Sequence, residues 1–87
     1  MEAYIIFKVK FTKNGRITEK EIVSVHATEK GALGELVELC RYYNHNKEAE
    51  KVAKCEWLYE NIVKVTYGDY YGGAYVKYYI NNFKVEN

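Results

Sequence analysis

From Ala3 to Phe11 every odd position is apolar (Ala3, Ile5, Phe7, Val9, Phe11), while Lys8, Lys10 and Thr12 stand at even ones. Alternation with a period of two predicts a strand with one buried face, here the odd face. Asn14-Gly15 follows, a pair that tolerates the positive φ angles of a two-residue type I′ hairpin, so a return strand is expected from about Arg16 to Ala27. That turn sets Lys10 opposite Glu19 and Lys8 opposite Glu21, two favourable cross-strand pairs. Further along, the same register puts Ser24 and His26 beside the apolar Ile5 and Ala3. A β-bulge near residues 20–22 removes the conflict, since one extra residue swaps which side chains face inward.

Thr28 is placed as a helix N-cap with Glu29 in the first turn. Leu33, Leu36, Val37, Cys40 and Tyr43 then recur at spacings of three and four, the stripe of an amphipathic helix lying on the sheet. Gly31 and Gly34 weaken this helix but allow it to sit close to a strand. Asn46 caps a second helix expected within Lys47–Asn61; the alternation of Cys55, Trp57 and Tyr59 suits a strand equally, so that helix is open to an early stop. Ile62–Tyr67 and Ala74–Ile80 alternate as strands around the glycine-containing loop Gly68-Asp69-Tyr70-Tyr71-Gly72-Gly73. A turn at Asn81-Asn82 would let Phe83–Glu86 add a short edge strand.

The pattern predicts an α+β fold: an antiparallel four- to five-stranded sheet in the order β-β-α-(α)-β-β, with helices packed on one face. The expected core is Ile5, Phe7, Val9, Leu33, Leu36, Val37, Val63, Val65, Val76 and Ile80. With 87 residues the chain makes a single domain, residues 1–87, whose core is too small to shelter a deep active-site cavity.

Composition narrows the function classes. Hydrophobic residues make up 48% and charged residues 29%, the balance of a folded protein. The short apolar run near Met1 is interrupted by charges, so neither a signal peptide nor a membrane span is expected. Cys40 and Cys55 have no paired spacing and read as reduced thiols, with the cytoplasm as default compartment. A net charge of +1 excludes a strongly basic nucleic-acid binder. The charge is uneven, however: residues 1–17 carry Lys8, Lys10, Lys13 and Arg16 against Glu2, while residues 18–60 hold nine Glu against six Lys or Arg. A basic side and an acidic side follow.

Catalytic and metal chemistry find little footing. His45 lies between Cys40 and Cys55, but structural zinc needs four donors drawn from closely spaced pairs. Ser24 and His26 are neighbours on one strand face, an arrangement common by chance. Glu35 and Glu38 are surface acids of a helix, and Gly72-Gly73 leads into a strand rather than a phosphate-binding helix. No enzyme activity, cofactor or metal is expected.

The tyrosines carry more. Six of the ten fall between Tyr67 and Tyr79, and Tyr70, Tyr71 and Tyr75 belong to a loop and an outer strand face, where a rigid ring with a polar tip suits binding. With helices on one face of the sheet, the opposite face would show Tyr4, Lys8, Lys10, Lys64, Tyr75, Lys77 and Tyr79. Aromatics interleaved with lysines suit stacked bases and phosphates, and suit an acidic protein partner equally. The candidate binding residues are therefore Tyr70, Tyr71, Tyr75, Lys77, Tyr79, Lys64, Lys8 and Lys10. The bland alternative is that these rings seal a homodimer.

Ala3-Tyr4-Ile5-Ile6 with Lys8-Val9, an early hairpin, Ala27-Thr28 opening a helix and a late glycine-containing hairpin resemble, in the order of elements, the small phage anti-CRISPR proteins, in particular a type I-F inhibitor with a five-stranded sheet and one helix. The segment from His45 to Glu60 departs from that pattern. The resemblance implies an inhibitor of a host defence complex, with a protein or ribonucleoprotein as target, and carries no residue roles. A nucleic-acid or nucleotide binder and a structural homo-oligomer are the alternatives.

Overall fold

The computed structural model describes residues 1–50, 53–68 and 72–84. Strands β1 (Glu2–Phe11), β2 (Ile17–His26), β3 (Ala53–Tyr59), β4 (Ile62–Tyr67) and β5 (Tyr75–Lys84) form one antiparallel sheet in the order β2-β1-β5-β4-β3. Helices α1 (Glu29–His45) and α2 (Lys47–Glu50) separate β2 from β3 in the chain, and α1 packs on one face. The fold is α+β, as the sequence pattern predicts.

The first hairpin keeps both expected ion pairs, Lys10–Glu19 at 3.0 Å and Lys8–Glu21 at 3.7 Å, but not the expected turn. Thr12 N donates to Arg16 O at 2.8 Å and Gly15 N to Thr12 O at 2.9 Å, closing a three-residue loop. Gly15 has φ 86 while no described non-glycine residue has a positive φ; a type I′ turn would require one at Asn14 as well. Two register shifts then follow, one between Lys10 and Phe11 and one between Ile6 and Phe7. The second leaves Val23 as the extra residue of β2, close to the expected bulge, and sets Ile5 opposite Val25.

Thr28 caps α1, its hydroxyl accepting from Gly31 N at 3.0 Å. Ala32, Leu36 and Cys40 are the buried line of the helix, flanked by the partly buried Leu33, Leu39 and Tyr43. Val37, expected in the core, is 42% exposed, because each residue turns the helix by about 100° and Val37 follows the centre of the stripe. At Gly31 an added Cβ would lie 3.3 Å from His26 Nδ1, so glycine lets α1 approach β2.

The second helix is shorter than Lys47–Asn61. Asn46 Oδ1 accepts from Glu48 N and Ala49 N at 3.0 and 3.1 Å, but α2 ends at Glu50 and β3 takes over from Ala53. The strand wins because its alternation buries Ala53 and Cys55 beneath α1 while its backbone completes the ladder of β4. The expected turn at Asn81-Asn82 is absent: β5 runs on to Lys84, with Asn81 paired to Ile5 and Asn82 to Tyr4, since the first half of β1 offers a free hydrogen-bonding edge.

The face that α1 covers corrects the sequence reading. Ile6, Val63, Val65, Val76, Tyr78 and Ile80 form the core with Ala32, Leu36 and Cys40, so the even residues of β1 face the helix. Ile5 and Phe7, expected in that core, lie on the opposite face with Val9 and Phe11. Val9 is nonetheless 1% exposed, sealed by its neighbours on the uncovered side. Burial on the helix side raises the Tyr78 phenol to about 12 and pushes the Tyr43 phenol and the Cys55 thiol upward. Among the described residues no helix is long and apolar enough to cross a membrane.

Candidate binding face

Antiparallel register decides which side chains share the uncovered face. β1 contributes Phe7, Val9 and Phe11, which stand opposite Tyr79, Lys77 and Tyr75 of β5. β4 places Ile62 opposite Tyr79, Lys64 opposite Lys77 and Thr66 opposite Tyr75. On the other flank β2 places Ile22 opposite Phe7, Lys20 opposite Val9 and Ile17 opposite Phe11.

The rings pair across strands. Phe11 and Tyr75 stack with centroids 4.8 Å apart and planes at 9°. Phe7 and Tyr79 stack at 6.0 Å and 28°, and Phe83 meets Phe7 at 6.3 Å. Lysines lie over these rings: Lys64 Nζ is 4.6 Å from the Tyr75 centroid, Lys77 Nζ is 5.3 Å from Phe11, and Lys20 Nζ is 5.2 Å from Phe7. Cation–π contacts of this kind hold an ammonium at a ring face without neutralising it. Ile17, Ile22 and Val25 are 59%, 59% and 61% exposed on β2, extending the face as an apolar border.

Of the residues singled out from sequence, Lys64, Tyr75, Lys77 and Tyr79 come together here. Tyr4, Lys8 and Lys10 do not: they share the helix-side parity of Ile6. Tyr4 donates to Glu2 Oε2 at 2.9 Å, and Lys8 and Lys10 are engaged by Glu21 and Glu19. The assignment failed because it paired the even positions of β1 with the odd positions of β5, whereas the ladder aligns Phe7 with Tyr79. Tyr70 and Tyr71 lie outside the described residues. Sequence reasoning missed Phe7, Phe11 and Lys20 as binding candidates; the odd-face alternation of β1 signals the two rings, and Lys20 joins them only through the register that sets it opposite Val9.

Two other clusters have structural explanations. The Val23 bulge turns Ser24 and His26 toward α1, where Glu35 Oε2 accepts from Ser24 Oγ and lies 3.1 Å from His26 Nε2. Ser24 Oγ is also 3.1 Å from that same Nε2. A nucleophilic triad needs the acid and the hydroxyl on different ring nitrogens; this arrangement ties β2 to α1. Cys40 and Cys55 are buried free thiols with Sγ atoms 2.7 Å apart, joining α1 to β3. Among the described residues no three His, Cys, Asp or Glu side chains are grouped to hold a metal ion. Compared with protein-family models, curated proteins and solved structures, the chain matches none.

Proposed function

We propose that this chain is a non-catalytic binding protein that inhibits or adapts a ribonucleoprotein or protein target through the uncovered face of its sheet. One observation carries the reading: a five-stranded sheet roofed by a helix on one side leaves Phe7, Phe11, Tyr75 and Tyr79 with Lys20, Lys64 and Lys77 on the other. An uncovered array of rigid rings with a border of exposed aliphatic side chains marks a contact surface. The resemblance of the sequence, in the order of its elements, to phage inhibitors of CRISPR complexes supports a defence complex as the target class.

The test is capture of purified ribonucleoproteins on immobilised wild-type chain, on Tyr75→Ala and on Glu38→Ala. Truncating an anchoring ring should weaken capture by more than about 1 kcal/mol, a fivefold or larger loss. Glu38, on the solvent side of α1, should be silent. Loss with Glu38→Ala and retention with Tyr75→Ala would move the working surface to the helix.

A further inference from the structure

We infer that the uncovered face is a platform for single-stranded nucleic acid, with the Phe11–Tyr75 and Phe7–Tyr79 pairs as stacking sites and Lys20, Lys64 and Lys77 as phosphate contacts. The inference rests on the reading that this face is the working surface, and names its ligand.

Three features point to an unpaired strand. First, the two ring pairs lie on neighbouring central strands, four residues apart along β1, a separation of about 13 Å. Lys77 projects between them, opposite Val9. Rings so spaced on a sheet receive unstacked bases of an extended strand with a nucleotide between them, whereas the bases of a duplex are stacked on one another and leave no face for them.

Second, the charge is suited to an anion. Among the described residues Lys20, Lys64 and Lys77 rest on rings rather than on carboxylates, while the ion-paired lysines of the hairpin, Lys8 and Lys10, stand on the other face. By register Lys54 joins this face through Thr66, and Glu56 stands on it opposite Lys64. A second copy of the chain would bring the same cations against these.

Third, the lysines occupy the ring faces that a base would take. Base stacking displaces each ammonium from its ring, and the phosphate of the incoming strand gives it a new counter-charge. The same seven side chains thus supply both halves of nucleotide recognition, π surface and cation.

The experiment is fluorescence anisotropy of a labelled, mixed-sequence single strand of about 12 nucleotides, as RNA and as DNA, against a duplex of equal length. Single strands should bind with a dissociation constant of roughly 1–100 μM at moderate salt, and the affinity should fall with salt at a log–log slope near −2 for three phosphates. Lys64→Gln or Lys77→Gln should each flatten that slope by about 0.7. Phe11→Leu and Tyr79→Leu keep apolar bulk but remove stacking, and should weaken binding about 5- to 100-fold with far-UV circular dichroism unchanged. No binding, equal binding of the duplex, or full binding by the Leu variants would overturn the inference. If the oligonucleotide fails while Tyr75→Ala still loses a captured partner, the face stands and its ligand is protein. If Tyr75→Ala is silent as well, the face itself is wrong.

Discussion

At the scale of single residues, Leu36 and Val37 separate the real helix stripe from the one that spacing suggests. Leu36 is 1% exposed and Val37 42%, so Leu36→Ala should lower unfolding free energy by about 2–5 kcal/mol. Val37→Ala should stay within about 0.5 kcal/mol. Urea titrations check both, and equal costs would contradict the placement of α1. Tyr78 sets an alkaline limit. Burial raises its phenol from 10.0 to about 12, so above pH 10 the unfolded chain gives up a proton that the folded chain keeps. Stability from this group is present below the unfolded value and is lost as pH rises through the folded one. Tyr43 and Cys55 are raised in the same sense. In Tyr78→Phe the decline of stability above pH 10 should therefore be shallower; an unchanged decline would mean that the phenol is not buried.

At the scale of elements, the turn at Gly15 and the bulge at Val23 govern which face each side chain of β2 occupies. Gly15 alone has the left-handed conformation there, so Gly15→Ala should cost about 1–2 kcal/mol, while Asn14→Ala should stay within about 0.5 kcal/mol. A large cost at Asn14 in thermal unfolding would restore the two-residue turn. Most elements were legible in the sequence: the early hairpin with its two ion pairs, the Thr28 cap, the helix and the alternation of β4 and β5. What was not legible was the roofed face. β1 is apolar on both sides, with Tyr4 and Ile6 on one and Ile5, Phe7 and Phe11 on the other. Its own alternation favours the odd side, but the choice is made by Val63, Val65, Val76 and Ile80, whose parity reaches β1 only through the β1–β5 ladder. Lys47–Asn61 misleads for a related reason: its residues favour helix locally, and pairing with β4 overrides them from Ala53.

At the scale of the whole molecule, one sheet face is closed by α1 and the other is left with rings, lysines and an apolar border. Self-association, expected from the tyrosine-rich sequence, would use this same face, and two like-charged faces repel. Light scattering should therefore give a monomer mass at low salt and a rise toward dimer as salt screens the repulsion over roughly a Debye length. A dimer insensitive to salt would place the self-contact elsewhere. The central claim is that ligand meets the uncovered face and not the helix side, and the isoleucines report on it directly. Ile5, Ile17, Ile22 and Ile62 share the uncovered face, whereas Ile6 and Ile80 lie beneath α1. In a methyl NMR titration with single-stranded oligonucleotide, the first four δ1 methyls should shift while those of Ile6 and Ile80 stay in place. Shifts concentrated at Ile6 and Ile80, or none at all, would contradict the account.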